Sequence, residues 1–285
     1  MTDIHLTADA GRARLTTRAG ALVPRVIEIG PDSARVALVA GGALLLGGDS
    51  VRVSITVGVG CTLELEDIGG TVAYNADGRG SEWFVDATVE ENALLLWHGL
   101  PFVVADGANV DRRTVIDLRG HGALACLRET IVLGRTGERG GTIGLRTTVQ
   151  AMTHTEASAQ AHTEAIFVEH LTVSGTDPVP GVLGDNRVLD SVLLLGTRAP
   201  ADAAGRVARD SPCTEVFELE GEGSITRSLH HEAHRSLLSP VWESWRAHAR
   251  SIHVAPVAPA RSANTLSAGT ASTSSLSSSQ IGTHL

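Results

Sequence analysis

The stretch VRVSITVGVGCTLELE, from Val51 to Glu66, decides the fold class of this chain. In its first half the apolar residues Val51, Val53, Ile55 and Val57 alternate with polar ones. Successive side chains of a β-strand point to opposite faces, so a period of two predicts a strand with one buried face. After the glycines the alternation resumes as TLELE, which predicts a second strand.

Further alternating runs follow, separated by Gly, Asp or Asn turn signals, and they predict a mainly β chain. Three runs share one pattern, in which a Gly or Asn and a small residue precede an apolar-rich strand. These are GCTLEL, NALLLW and GALACL, which begin at residues 60, 92 and 122. A period of roughly 30 residues is typical of stacked β-coils. We therefore predict a β-helix or solenoid-like stack of strands; the alternative is a glycine-rich all-β chain whose echoes arise by chance.

The C-terminal part predicts a short helix followed by a disordered tail. The segment SPVWESWRAHARSI has Ser239 in position to cap a helix and Pro240 as its first residue. From Ala255 the sequence is rich in Ala, Pro, Ser and Thr, and this composition buries too little apolar surface to offset the entropy of ordering the chain. The predicted organisation is one β-rich domain over residues 1–254, with a small helical C-terminal portion, and a disordered tail over residues 255–285.

Deletion of residues 255–285 is expected to leave folding unchanged, because the predicted tail contributes no packed core. Thermal unfolding of the truncated chain against the full chain checks this prediction. A lower unfolding temperature, or a loss of soluble protein, would contradict it.

The composition argues against several classes of function. All 23 basic residues are arginine, so the chain contains neither a P-loop lysine nor a lysine that could form a Schiff base. The net charge of -9, without a basic cluster, argues against nucleic-acid binding. No apolar run is long enough to span a bilayer, and the N-terminus has no apolar signal core. The three cysteines form no C-x-x-C pair, so we expect a cytoplasmic protein without a disulfide framework.

The segment HHEAH, from His230 to His234, is the most metal-like motif in the sequence. His230 and His234 are four residues apart and would share one face of a helix. The zincin order H-E-x-x-H is not met, because Glu232 follows His231 and only one residue separates it from His234. Three interpretations stay open: a solvated polar segment before the final helix, a segment that ferries nickel, and the centre of a metal-dependent hydrolase.

The glycine-rich loop LGRTGERGGTIG, residues 133–144, lies between two predicted strands. Its glycines are spaced G-x-x-G-x-x-G, whereas a nucleotide-binding loop needs G-x-G-x-x-G and a helix N-terminus. Nucleotide binding is therefore not predicted. We expect a rigid loop that presents Arg135, Glu138 and Arg139 to a protein partner.

Three carboxylates have local sequences that allow two interpretations each. Asp49 follows a pair of glycines, where an aspartate commonly accepts backbone N–H groups in a turn. Glu129 and Glu169 lie in the apolar runs CLRETIVLG and AIFVEHLTV. Such a carboxylate either points outward to solvent or, if it points inward, has to be paired or to meet a metal ion, because burial of an isolated charge is costly.

The order of these motifs resembles the UreD family, also called UreH, of urease accessory proteins. The resemblance rests on GGALLLGGD, ITVGVGCTLEL, GGTVAYN, RETIVLGRTGERGGTIG, IFVEHLTV and the closing VWESWRAHAR, and it extends from Arg14 to His253. It implies a non-enzymatic β-helical scaffold with a small helical portion. It also implies three partners, a UreF-like protein, a UreG-like GTPase and apo-urease, and nickel that passes through in transit, with no tightly bound cofactor.

The resemblance further implies which residues line the route of the metal. In the matching motifs Asp49 lies at the wall or the mouth of a water-filled passage, and Glu129 and Glu169 lie along a transient nickel path. His98 is a weaker candidate for the same path. Carboxylate oxygens suit a divalent ion that has to be released again.

Partner contacts are expected from two places in the sequence. One is the glycine-rich loop with Arg135, Glu138 and Arg139, and the other is the closing helix with Trp242 and Trp245. The alternative function that stays open is a β-rich module that binds an unrelated partner.

Overall fold

The structure is a computed structural model that describes residues 1–9, 11–75, 77–153, 162–179, 181–200 and 214–253. The predicted tail, residues 255–285, lies outside the described residues. The strands in chain order are β1 Thr2–Asp9, β2 Arg12–Arg18, β3 Leu22–Ile29, β4 Ser33–Ala40, β5 Ser50–Val57, β6 Thr62–Asp67, β7 Thr71–Ala73, β8 Ser81–Val89, β9 Leu94–His98, β10 Phe102–Val104, β11 Asn109–Leu118, β12 Leu124–Leu133, β13 Thr142–Thr153, β14 His162–Ser174, β15 Val188–Leu195, β16 Thr214–Glu218 and β17 Gly223–His230. A 3₁₀ turn, Ala233–Arg235, and a helix, α1 Leu238–Ile252, follow.

The strands form two sheets that face each other. Sheet A has the order β14-β13-β11-β8-β5-β1-β2, and sheet B has the order β16-β17-β15-β12-β9-β6-β4-β3. Between β4 and β13 the chain crosses from one sheet to the other, apart from the short strands β7 and β10, and neighbouring strands within each sheet run parallel. Each coil of the chain therefore adds one strand to each sheet, which confirms the predicted solenoid-like stack.

The three sequence echoes lie side by side in sheet B. The third residues of the echoes are Thr62, Leu94 and Leu124, and Leu94 is the register partner of both others. Coils that stack in register bring equivalent residues next to each other, so the repeat of about 30 residues corresponds to one full coil of this solenoid.

The main core lies between the two sheets. It is built from those alternate residues of each strand whose side chains point inward. On β5, Val51, Val53, Ile55 and Val57 are all buried, while Arg52 between them is exposed. This confirms the alternation predicted from the sequence, because a strand with one solvated face shows its burial with a period of two.

A second, smaller core lies on the outer face of sheet B under α1. The sheet residues in it are Leu94, Leu96, Leu124, Cys126, Val192 and Leu194, and the helix residues are Leu238, Val241, Trp242, Trp245 and Ala249. The prediction of Ser239 as the helix cap is wrong, because α1 begins at Leu238 with Leu237 in the cap position. The Ser239 hydroxyl instead accepts a hydrogen bond from Arg128 at 3.1 Å. Among the described residues, no helix has the length and apolar character needed to cross a membrane.

Candidate functional site

A polar band crosses the otherwise apolar space between the two sheets. Two ion pairs bridge the gap, one from Arg112 on sheet A to Glu129 on sheet B and one from Glu169 on sheet A to Arg227 on sheet B. Hydroxyl side chains and a further carboxylate lie in the same layer. We define the polar band as Asp67, Arg112, Thr114, Glu129, Thr147, Glu169, Ser191 and Arg227.

Strand alternation explains why these side chains point inward. Leu127 and Ile131, two residues on either side of Glu129, belong to the core between the sheets. Because residues two apart on a strand share a face, Glu129 points to the same space. Phe167 and Leu171 flank Glu169 in the same way.

The strand register makes the band continuous. In sheet B, Ser191 is the register partner of both Glu129 and Arg227. In sheet A, Thr147 is the register partner of both Glu169 and Thr114. Register partners stand beside each other on one face of a sheet, so two polar rows face each other across the core.

The first ion pair is only partly satisfied. The Arg112 guanidinium donates to Glu129 Oε1 at 2.5 Å, and it lies 5.2 Å from the centre of the Phe102 ring and 6.0 Å from that of Trp83. The Nε of Arg112 is buried and has no hydrogen-bond partner among the described residues. The Arg112 side chain is 12% exposed and that of Glu129 is 25% exposed, so this pair is only partly shielded from solvent.

Asp67 lies at the same end of the band as the first ion pair. Its carboxylate accepts hydrogen bonds from the Trp97 indole N–H and the Leu100 backbone N–H, both at 3.1 Å. Burial raises the pKa of the Asp67 carboxyl; these two hydrogen bonds and the charge of Arg112 oppose the rise, while the charge of Glu129 adds to it. The carboxylates of Asp67 and Glu129 therefore repel each other, while the positive charge of Arg112 attracts both of them.

The second ion pair has all of its groups engaged. Arg227 binds Glu169 through both terminal nitrogens, at 2.9 Å to Oε2 and 2.5 Å to Oε1. Its Nε donates to Ser191 Oγ at 3.2 Å. A bidentate contact of this kind fixes the orientation of both side chains. The Glu169 carboxylate is therefore held in place by Arg227.

Taken together, the band offers oxygen atoms but no chelating cage. It contains three carboxylates and two guanidiniums, which leaves one negative charge in excess. In the part of the chain that the structure describes, no three His, Cys, Asp or Glu residues are grouped so as to hold a metal ion. A cation that enters the band would therefore meet weak oxygen ligands.

Of the path residues predicted from the sequence, the structure brings Glu129 and Glu169 into the polar band, but neither Asp49 nor His98. Asp49 Oδ2 accepts the Leu46 N–H at 2.9 Å, which is the turn interaction considered for it from the sequence. His98 faces the helix side of sheet B, where its ring stacks on Trp242 with 5.2 Å between the ring centres. Burial and the nearby Arg128 lower the pKa of His98.

The glycine-rich loop, which connects β12 to β13, presents charged side chains. Arg135 and Arg139 are exposed, and Arg135 forms an ion pair with Glu138. Hydrogen bonds from the Arg135 side chain and backbone lower the pKa of Glu138 to about 2. Glu138 also accepts the Asp106 N–H at 3.3 Å, so the loop is tied to its own scaffold.

The two tryptophans of α1 are turned toward the protein. Trp242 and Trp245 are buried in the outer core, at 3% and 0% exposure. In this structure their rings therefore dock the helix on sheet B. A partner that met α1 from its free side would contact the exposed Glu243 and Ala247 rather than the indole rings.

The HHEAH histidines do not converge. His230 Nε2 lies 2.5 Å from Ser228 Oγ at the end of β17, while His234 is exposed and lies 3.3 Å from Glu232. His231 is exposed as well. The described residues thus offer no geometry for a hydrolytic metal centre at this segment.

Sequence reasoning missed Asp67, Arg112 and Arg227. The signal was present, because each lies two residues from an inward apolar residue, as Arg112 does from Val110. A charged residue in the inward phase of a strand indicates a partner across the core. The sequence pattern does not show which residue this partner is.

Comparison with known proteins identifies a protein family whose model covers most of the chain. A family model described as "UreD urease accessory protein" matches residues 2–261. "Urease accessory protein UreD 1" of Streptomyces griseus is 38% identical over 229 residues, which cover 79% of this chain and 82% of that protein. "Urease accessory protein UreD 2" of Saccharopolyspora erythraea is 29% identical over 238 residues, covering 78% and 77%. "Urease accessory protein UreD" of Cupriavidus necator is 26% identical over 226 residues, covering 75% of each.

Proposed function

Since the chain belongs to the UreD family of urease accessory proteins, we propose that it is a non-catalytic, cytoplasmic maturation factor that helps to deliver nickel to apo-urease. It acts in a complex with a UreF-like protein and a UreG-like GTPase. GTP hydrolysis belongs to a partner, because this chain has no lysine and hence cannot form a P-loop.

The observation that carries the nickel route is the polar band. Glu129 and Glu169 face the space between the sheets, where an uncompensated carboxylate would be costly. Carboxylates hold Ni²⁺ less firmly than imidazoles do, and the band provides no cage of three protein ligands among the described residues. Such weak ligands release the ion again, which is what delivery to another protein requires. Nickel is cargo here, so weak and sequential binding is the useful property.

The joint replacement Glu129→Gln and Glu169→Gln is expected to lower the nickel content of matured urease. Glutamine keeps the shape and a carbonyl oxygen but removes both negative charges from the route. We expect nickel per urease active site to fall at least about threefold, equivalent to ~0.65 kcal/mol. Urease is matured in cells in which this chain replaces the resident UreD-like protein, and its nickel is measured by mass spectrometry.

The matched control is the joint replacement Glu82→Gln and Glu218→Gln. Both of these glutamates are paired with arginine at the surface, outside the band. Equal recovery of the variant chain in the complex, with normal circular dichroism, separates a route defect from misfolding. If nickel loading matches that of the control although complex recovery is equal, the proposed function is wrong. Purification of the complex also tests the partners, which should include the UreF-like protein, the UreG-like GTPase and urease subunits.

A further inference from the structure

Each sheet of the solenoid has two terminal strands. Sheet A ends at β2 and β14, and sheet B ends at β3 and β16. Among the described residues no further strand pairs with these four, and α1 packs on the outer face of sheet B rather than over an end of the stack. We call β2 with β3 the first end of the stack, and β14 with β16 the last end. An unpaired strand edge is a template for a strand of another chain, so both ends are candidate contact surfaces.

The apolar core is open at both ends. At the first end Val26 is the register partner of the core residue Val36 and therefore faces the space between the sheets, yet it is 51% exposed. At the last end Phe217 is the register partner of the core residue Ile225 and is 50% exposed. A solenoid buries such residues by adding a coil or a capping element. Each end therefore offers apolar surface that a further coil would bury.

The two ends carry opposite charges. The strands of the first end contain four arginines and one acid, namely Arg12, Arg14, Arg18, Arg25 and Glu28. Those of the last end contain four glutamates and no arginine, namely Glu164, Glu169, Glu215 and Glu218. The chain as a whole has a net charge of -9, so the first end is set apart as a basic surface on an acidic protein. A surface of this kind attracts an acidic partner.

Several of these charges have no ion pair within the described part of the chain. At the first end Arg12, Arg14 and Arg25 are exposed, and none of them forms an ion pair with a described residue. At the last end Glu164 and Glu215 are exposed and likewise unpaired there, whereas the other two glutamates each bind an arginine. Cations at one end and anions at the other are thus available to a second molecule.

The strand directions fit the two ends together. In sheet A, β1, β5, β8, β11 and β13 run parallel, while β2 and β14 each run antiparallel to the strand beside them. In sheet B, β3 is antiparallel to β4, and three successive antiparallel pairings lead from β12 to β16. Since β4 and β12 run in the same direction, β3 and β16 do so too. A second copy stacked head to tail therefore sets β2 beside β14 and β3 beside β16 as parallel strands, as between the coils of one chain.

We propose that copies of this chain associate head to tail, with the last end of one copy on the first end of the next. The exposed arginines of the first end then face the glutamates of the last end, and Val26 and Phe217 are covered. Main-chain pairing is assigned to β2 and β14, because Pro24 and the irregular register between Val26 and Glu28 blunt the free edge of β3. Contacts between two like ends are unfavourable, because equal charges would meet. The inference goes beyond the proposed function and does not depend on it.

Sedimentation velocity of the full chain over a concentration series tests the association. A head-to-tail contact leaves one first end and one last end free on every assembly, so the average mass should rise continuously with concentration. A higher ionic strength should weaken the association, because exposed charges are screened. The replacement Arg14→Glu with Arg25→Glu should raise the dissociation constant at least about tenfold, since it sets acids against the glutamates of the last end.

The matched control is Arg79→Glu with Arg113→Glu. Both arginines are exposed and lie outside the four terminal strands. The net charge changes by the same amount as in the first-end variant, yet the dissociation constant should change less than about twofold. Equal weakening by the control and by the first-end variant overturns the proposal.

Mixing of two variants decides whether opposite ends meet. The replacement Glu164→Arg with Glu215→Arg should weaken self-association as much as the first-end variant does. An equimolar mixture of these two variants should associate again, because each variant then meets ends of opposite charge. A misfolded variant would not be restored by mixing, and a mixture that stays monomeric overturns the proposal. If the unreplaced chain is too strongly associated to measure, the mixture still decides, because its two components are monomers before mixing.

An unreplaced chain that stays monomeric over the whole series also overturns the proposal. If, in addition, the first-end variant is lost from the complex with urease while the control variant is retained, the basic end binds a different, acidic protein instead of a second copy. The sedimentation assay contains neither urease nor nickel, so its outcome does not bear on the proposed nickel delivery.

Discussion

Replacement of Asp190 by alanine is expected to lower the free energy of unfolding by about 3–5 kcal/mol. Asp190 is fully buried on β15, on the face of sheet B that carries α1. Its carboxylate accepts hydrogen bonds from Arg128 at 2.9 and 3.3 Å, from Thr130 at 3.0 Å and from Ser236 at 2.6 Å. Removal of the carboxylate leaves the Arg128 guanidinium, only 12% exposed, without its counter-ion.

Chemical denaturation followed by circular dichroism measures this loss. Asp111→Ala is the matched control, because Asp111 forms an ion pair with Arg146 at the surface and should cost no more than about 1 kcal/mol. The double replacement Asp190→Leu with Arg128→Met should recover most of the loss, since it removes both charges together. A loss for Asp190→Ala as small as that of the control would show that the buried pair does not stabilise the fold.

Replacement of Trp245 by alanine is the second large effect, with an expected loss of about 3–5 kcal/mol. Trp245 has 0% exposure and is, with Trp242, one of the two indole side chains in the outer core. Its truncation leaves a cavity between α1 and sheet B and uncovers Leu94, Leu96 and their neighbours. Because Ser236, just before α1, is held by Asp190, the helix should stay tethered at its start while its packing weakens.

Trp245→Phe serves as the matched control. Phenylalanine keeps an aromatic ring and removes an indole N–H that has no hydrogen-bond partner among the described residues, so it should cost less than about 1.5 kcal/mol. Denaturation gives the stability, and hydrogen exchange of β9, β12 and β15 reports whether the sheet under the helix becomes exposed. If both variants lose the same stability, the packing explanation is wrong.

The local pattern of the chain was sufficient for some elements and not for others. The alternation around Val51 to Val57 predicted β5 and its buried face, because the side-chain direction of a strand follows from the backbone alone. The run NRVLDSVLLLG, residues 186–196, is rich in apolar residues at both odd and even positions, so its pattern fits either a strand or a short helix. In the structure this run forms β15 of sheet B, and each of the two faces of β15 is buried in a different core.

The candidate site was predictable only in part for the same reason. Glu129 and Glu169 could be named from their motifs and apolar surroundings, yet whether they pointed inward was left open. Asp67 and Arg112 carried the same period-two signal and were not recognised, because an inward charge is meaningful only once its partner is known. Trp242 and Trp245 formed an apolar stripe, but the sequence could not say whether that stripe faces a partner or the chain's own sheet.

By itself, the sequence determined the mainly β class, the coil length of about 30 residues, the exclusion of lysine chemistry and the motif order of the UreD family. These properties depend on neighbours along the chain or on composition. Only the tertiary structure decided that Glu169 meets Arg227, 58 residues away, and that Arg112 forms an ion pair with Glu129 across the core. The physical reason is that a strand specifies the direction of its side chains, whereas the opposite sheet specifies what those side chains meet.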